Sequence, residues 1–280
     1  MDIQITALIE NSSVDKNLAA EHGLSVLVRT GQGSLLFDTG SSDAFLANAR
    51  KLFEEVPGSI EHVLLSHNHY DHAGGLPALL EAAQSPMTVH TGRGFFSPKF
   101  SKQEGRRSYH HAFTDETDIR SMGHRVKEHL EDTYELMKDV YIITNFPRDA
   151  DLNWENHRFL RDCNGKEETD PFDDEISLVI RTSEGLLLLV GCSHPGILNI
   201  IAAVRHRFSD PLHTVIGGTH LVAAQGERLQ YLIRKLTSMQ GIRFGLSHCT
   251  GNQAWEALNS AGAYCFPFHA GSRITFKEAY

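Results

Sequence analysis

The chain has 280 residues, 41% of them hydrophobic, and a formal charge of -9; the apolar content suffices for one large buried core or two modest ones. That acidic balance argues against the broad electrostatic grip that nucleic acid demands, and no run of about 18 apolar residues predicts a membrane span. The opening "MDIQITALIE" lacks the apolar core of a signal peptide, and Cys163, Cys192, Cys249 and Cys265 form no CxxC pair, so the expectation is a cytoplasmic protein with reduced thiols.

Residues 25 to 40, "SVLVRTGQGSLLFDTG", predict two short strands joined by a glycine-containing turn. A helical stretch follows at 42 to 56, then a strand at 60 to 67 that runs directly into "HNHYDH". The region from about 91 to 171 is richer in charge. Within it "GRGFFSPKF" (92 to 100) and "SYHH" (His110, His111) read as exposed loop, or else as a lid that stacks an aromatic substrate, while 119 to 139 predicts a helix and "VYIIT" (140 to 144) a strand. Residues 177 to 192, "SLVIRTSEGLLLLVGC", then repeat the first hairpin at an offset of 152, with Ser25/Ser177, Arg29/Arg181, Thr30/Thr182, Gly33/Gly185, Leu35/Leu187 and Leu36/Leu188 identical. Here too a helix follows (195 to 208, with Pro195 in its first turn), then a strand (212 to 218) and a histidine, His220. A strand ending at His248 and a helix after Gly251 close the pattern. The duplicated unit predicts an α/β fold, a four-layer αβ/βα sandwich of two mixed β-sheets. It forms a single domain over 1 to 280, with a partly helical insertion at about 91 to 171 covering or shaping the active edge.

Seventeen histidines are present, and several gather at predicted strand ends. His67 and His69 are two apart, so an extended chain projects both to one side, and Asp71 and His72 follow at once. Imidazole nitrogens beside a hard carboxylate suit zinc, iron or manganese. His194, at a strand end before a helix, is either a further ligand or a capping residue, and His248, which ends an apolar strand, is either a further ligand or a histidine satisfied by backbone. Thr250 and Gly251 at a helix N-terminus could favour an anion, with a plain N-cap as the alternative. Asn11, on the loop after strand one, lines the pocket or shapes a turn. Cys192 and Cys249 read as small buried apolar residues rather than thiolate ligands.

"HNHYDH", with Asp38 in "LLFDTG" and then His194 and His248 in order, resembles the metallo-β-lactamase superfamily. More closely, "DPFDDEISLVI", "GCSHPGILNII", "GGTHL" and "SHCTG" resemble its 7,8-dihydropterin-6-methyl-4-(β-D-ribofuranosyl)-aminobenzene-5'-phosphate synthase-like branch, over most of the chain and least from about 100 to 140. The resemblance implies one ion on His67, His69 and His194 and a second on Asp71, His72 and His248, with Asp38 as a buried supporting residue. Two divalent ions are thus implied, zinc first, with iron or manganese as other fits. Many hydrolases of the superfamily carry a bridging aspartate where "GGTHL" stands, and no acid is present there. His220, which the repeat makes the counterpart of the His67/His69 strand end, is an additional ligand or faces the substrate. Arg148 in "ITNFPR" resembles a recurrent Pro-Arg of the branch and either pairs with phosphate or is an ordinary surface arginine.

About three protein ligands per ion leave positions for water, whose pKa a metal lowers from about 15.7 to roughly 7. The expected activity is hydrolysis of a small anionic substrate (phosphoester, ester, lactone or thioester) by metal-bound hydroxide. Asp71 would orient that hydroxide and His220 would donate to the oxyanion or leaving group. The branch also implies a synthase joining a dihydropterin diphosphate to an aminobenzene ribosyl phosphate. A non-enzymatic metal or ligand sensor and, more remotely, a redox di-iron protein are the remaining readings.

Overall fold

A computed structural model describes residues 2–53, 60–149, 158–163 and 165–279. The chain begins with β1 (Asp2–Ile9), β2 (Ser25–Thr30), β3 (Gly33–Phe37), α1 (Ala44–Phe53), β4 (Ile60–Leu64), α2 (Tyr70–Ala73), α3 (Leu76–Ala82) and β5 (Thr88–Gly92). Its middle comprises β6 (Lys99–Gln103), β7 (Arg106–Tyr109), α4 (Thr117–Ser121), β8 (Arg125–His129), β9 (Thr133–Met137), β10 (Val140–Ile143), β11 (Phe159–Cys163) and β12 (Lys166–Thr169). The last part comprises β13 (Ser177–Thr182), β14 (Gly185–Val190), α5 (Ile197–Arg207), β15 (Leu212–Gly217), α6 (Gly226–Thr237), β16 (Arg243–Leu246), α7 (Asn252–Ser260), β17 (Tyr264–Cys265) and β18 (Arg273–Lys277).

One seven-stranded sheet runs β18-β1-β2-β3-β4-β5-β8 and a second β17-β16-β15-β14-β13-β10-β9, while β12-β11-β6-β7 form a smaller sheet. The internal repeat is structural. In both halves the hairpin is antiparallel and the following strand joins it in parallel, β4 beside β3 and β15 beside β14. Even the turns match: the Thr30 and Thr182 hydroxyls donate to the carbonyls of Gly33 and Gly185 at 3.2 and 2.8 Å.

Side-chain alternation explains the layering. Leu35 and Phe37 of β3 share the inter-sheet core with Leu187 and Leu189 of β14. Leu36 packs outward with Phe45 and Leu46 of α1, and Leu186, Leu188 and Val190 pack outward with Ile197, Ile201 and Val204 of α5. A strand covered on both faces must be apolar throughout, hence "GLLLLV", and each such side chain contributes roughly 1.5–3 kcal/mol by burial. Three buried clusters separate helix, sheet, sheet and helix, which is the expected four-layer αβ/βα sandwich.

Residues 119 to 139 do not form the expected helix. Helix α4 ends at Ser121, Gly123 follows in the left-handed region at φ 86°, and the rest is β8 and β9. Strand β8 pairs in parallel with β5 and β9 antiparallel with β10, while Tyr134 and Leu136, two apart, pack on the inter-sheet core. Sheet pairing and one-sided burial override the helical propensity of a Lys/Glu-rich stretch. These strands extend the two large sheets, so the four-stranded sheet is the part of 91 to 171 that stands apart. Nor is 92 to 100 an exposed loop: Phe95 and Phe100 are 1% and 0% exposed. Pro195 precedes the N-cap Gly196 instead of sitting in the first turn of α5. Residues 54 to 56 of the first expected helix lie outside the described residues. No described helix is long and apolar enough to cross a membrane.

Candidate metal centre

Strand ends build the site. Asp38 follows β3, Ser193 follows β14, His220 follows β15 and His248 follows β16, and these four non-glycine residues hold φ of 60°, 58°, 51° and 52°. Left-handed backbone costs such residues about 1–3 kcal/mol each, and its concentration along one edge is a mark of function. Close approach of the sheets also requires Gly191, whose Cα faces the Ser66 side chain with no space for a methyl group.

Asp38 organises the motif from below. Fully buried, it accepts from the Ser66 N–H at 2.6 Å and the Ser66 hydroxyl at 2.8 Å, and its Oδ2 lies 2.7 Å from His72 Nδ1. A carboxylate only accepts, so the His72 proton sits on Nδ1 and Nε2 is turned toward Asp71 Oδ2, 3.8 Å away. Burial opposes charge on His72, yet attraction to Asp38 and Asp71 lifts its pKa to about 9 in the metal-free chain.

His67 Nε2 and His69 Nδ1 face each other at 3.1 Å, with the His194 ring centroid 4.8 and 5.1 Å from theirs. Two nitrogens on a tetrahedral zinc stand roughly 3.3 Å apart, so this spacing fits one ion. Across the site, Asp71 Oδ2 lies 3.2 Å from His248 Nε2. The donor atoms of Asp71, His72, Cys192 and His248 lie within 4.8 Å of one another, as do those of His67, Cys192 and His194. Burial holds His67, His69 and His194 well below the ordinary histidine pKa, the neutral form that ligates. Burial likewise opposes ionisation of Asp71, but His72, His22 and His248 keep its carboxyl well below the usual range. His194 Nε2 is buried and makes no hydrogen bond. An orphaned buried nitrogen beside neutral imidazoles and an ionised carboxylate is a donor set that fits divalent cations.

Supports that no local motif announces hold these donors. Glu175 accepts from the backbone N–H groups of Ser193 and His194 at 2.6 and 2.9 Å, and burial pushes its pKa up to about 8. Glu10 accepts from the His248 N–H at 2.7 Å. Asn68, inside "HNHYDH", donates to the carbonyls of Phe95 and Phe113, both at 2.7 Å, and accepts from the N–H groups of Ala112 and Phe113. The middle of the chain is thereby pinned to the donor loop.

Above the donors lies a cleft of about 720 Å³, lined among others by Asn11, His22, His69, Asp71, His110, Arg158, Phe159, His194, His220 and His248. His220 therefore faces the cleft, its ring centroid 4.6 Å from that of His194. Asn11 does more than line it: its Oδ1 lies 2.9 Å from His248 Nδ1 and orients that ring. The other residues expected to bind substrate are not brought there. The Arg148 guanidinium is engaged by the Pro171 carbonyl and stands 3.9 Å from Asp173. Thr250 is buried, its oxygen accepting from the Thr219 N–H and lying 3.0 Å from the Thr219 hydroxyl. Gly251 is the N-cap of α7 and packs against Val222. Sequence reasoning missed His22, whose Nε2 lies 3.2 Å from Asp71 Oδ2; a lone histidine in "AEHGLS" carries no pattern that could have found it. Arg158 and Lys102 at the cleft gave no signal either.

Fold and donor arrangement together define a class, and the chain belongs to the metallo-β-lactamase superfamily. The superfamily's sequence model matches residues 19–144. Over 98% of this chain and 97% of the relative, the sequence is 28% identical to the 7,8-dihydropterin-6-methyl-4-(β-D-ribofuranosyl)-aminobenzene-5'-phosphate synthase of Methanocaldococcus jannaschii. Among solved structures, Tm1679, described as a metal-dependent hydrolase of the β-lactamase superfamily, superposes with a TM-score of 0.83 at 32% identity, covering 97% of this chain and 98% of that one. Zinc-bound PqqB from Methylobacterium extorquens shares the fold, with a TM-score of 0.58 at 13% identity over 97% of this chain and 99% of that one. The protein is an enzyme of this fold, a hydrolase or a synthase.

Proposed function

We propose that the protein is a hydrolase dependent on two divalent ions, zinc fitting best, and that it acts on a small anionic molecule held in the cleft. One observation carries this reading: two donor triads, His67/His69/His194 and Asp71/His72/His248, converge on the floor of an open cleft. When bound, such ions supply Lewis acidity and a nucleophile at neutral pH. The chain's own residues do the rest. Asp71 accepts hydrogen bonds at the reacting edge, where His22 and His248 already converge on its Oδ2. His220, beside His194 on the cleft face, is placed to donate a proton to the oxyanion or the departing oxygen. Arg158 at the cleft favours an anion, Lys102 beside it being paired with Glu167, and the buried Phe159 gives the cleft an apolar wall. Phosphoesters, esters, lactones and thioesters all suit this arrangement. Four free cysteines support a cytoplasmic setting.

The second reading is a synthase that displaces pyrophosphate from a dihydropterin diphosphate. It draws on the near full-length relationship to the archaeal synthase and on Phe159, Tyr70 and His110, which offer aromatic faces to a flat ring.

Metal analysis of stripped and reloaded protein, combined with a panel of these substrates, tests both. About two equivalents of metal should restore turnover, and His67→Ala or Asp71→Ala should lose metal and activity together. Full metal occupancy without turnover of any phosphoester, ester, lactone or thioester sinks the hydrolase reading; pyrophosphate release from the pterin substrate alone selects the synthase.

A further inference from the structure

The acid expected to bridge the two ions is missing from "GGTHL", and a sulfur from the end of β14 stands among the donors of the centre. Cys192 Sγ belongs both to the donor group of Asp71, His72 and His248 and to that of His67 and His194, all donor atoms in each group lying within 4.8 Å of one another. It is the one residue common to the two among the described residues. The side chain is 3% exposed, and Sγ lies 3.2 Å from His72 Nε2, the nitrogen that Asp38 leaves available to a metal. Its backbone is fixed on both sides. The preceding Gly191 packs against Ser66 and accepts from the Gly218 N–H at 2.9 Å, while the following Ser193 is held in left-handed backbone by the Glu175 carboxylate. A buried sulfur so fixed, grouped with donor atoms of His67 and His194 on one side and of Asp71, His72 and His248 on the other, is more than a small apolar filler.

We infer that Cys192 is a thiolate ligand shared by both metal positions, taking the role that a bridging carboxylate would have. The inference rests on the proposed metal centre. Ligation breaks the S–H bond, the sulfur keeps the electron pair as donor to the ions, and the proton passes to solvent; no oxidant or reductant takes part. A soft thiolate between nitrogen-rich pockets selects zinc, iron or cobalt over magnesium, calcium or manganese.

Cobalt(II) reports this directly. Stripped full-length protein, wild type and the Cys192→Ala, Cys192→Ser and Cys249→Ala variants, is titrated with cobalt alone. The visible d–d absorption counts bound ions and the near-ultraviolet sulfur-to-cobalt band reports the thiolate. In wild type the sulfur band should grow with the first equivalent and again with the second. Both Cys192 variants should lose it while still binding cobalt, with affinity for the second ion reduced by more than the roughly 10- to 100-fold that loss of a supporting partner costs. Cys249→Ala should keep the band. A band that survives Cys192→Ala and vanishes in Cys249→Ala overturns the assignment, and saturation at one equivalent while a second ion binds overturns the sharing. Two bound cobalt ions with no sulfur band in wild type refute the thiolate and leave the metal centre standing. No bound cobalt at all refutes both.

Discussion

Replacing Asp38 with asparagine keeps the shape of the side chain and reverses part of its hydrogen-bonding sense. The carboxylate serves three donors: the Ser66 N–H at 2.6 Å, the Ser66 hydroxyl at 2.8 Å and the His72 Nδ1–H at 2.7 Å. An asparagine whose oxygen keeps the Ser66 N–H points its amide N–H groups at Ser66 Oγ and His72 Nδ1. His72 must then accept at Nδ1 and carry its proton on Nε2, which removes that nitrogen from ligation. The flipped amide clashes instead with the Ser66 N–H. Hydrogen bonds to a charged acceptor contribute about 1.5–3 kcal/mol each, and two of the three are disturbed, so the metal-free variant should be destabilised by roughly 3–6 kcal/mol. Affinity for the ion expected on Asp71, His72 and His248 should fall about 10- to 100-fold, while the ion expected on His67, His69 and His194 is held nearly as before. Competition against a chromophoric chelator resolves the two zinc equivalents, and thermal melting reads stability. Binding of both equivalents within about threefold of wild type, with an unchanged Tm, would refute the tautomer argument.

Other perturbations reach the support of the site. Asn68→Ala deprives two carbonyls and two N–H groups of their partner and should cost about 2–4 kcal/mol in urea denaturation; a loss below about 1 kcal/mol contradicts its pinning role. Lys99 is buried with its Nζ 2.7 Å from both Asp170 and Asp174, so Lys99→Met leaves two acids uncompensated and should cost about 3–5 kcal/mol. Adding Asp170→Asn and Asp174→Asn should recover part of that loss, and no recovery means the charges are not the cause. A chain of histidines links β4, β5 and β8, His90 Nε2 lying 3.0 Å from His62 Nδ1 and its Nδ1 2.9 Å from His129 Nε2. Burial, reinforced by His129 and His62, depresses the His90 pKa from 6.5 to about 2. Its folded form therefore binds fewer protons than the unfolded chain, so stability is highest above pH 6.5 and falls as pH drops from there toward 2, by about 1 kcal/mol per unit. Denaturation of wild type and His90→Gln between pH 7 and 5 checks this, and identical slopes would rule it out.

Much of the architecture was legible because burial on two faces writes itself into consecutive residues. The runs "SLLF" and "GLLLLV", each after a strand and turn of matching register, had one stable environment, a strand between a second sheet and a helix layer. The histidine motif was legible for a similar reason: its donors are close in sequence, and alternation in an extended segment sets their directions. The stretch from 119 to 139 misled because its charged residues favour a helix, whereas long-range pairing of β8 with β5 and β9 with β10 decides their state. Arg148, Thr250 and Gly251 were suggested by local chemistry, and each is turned to a structural contact that depends on distant residues.

The sequence by itself determined the duplicated sandwich and pointed to the candidate donor residues, since short-range periodicity and residue chemistry mark both. Only the tertiary structure decided how the donors meet. His22 reaches Asp71 from a preceding loop, Asn11 and Glu10 hold His248 from the far end of the chain, and Cys192 arrives between the triads. Those contacts span up to 238 positions along the chain and are set by sheet packing, which no local pattern encodes.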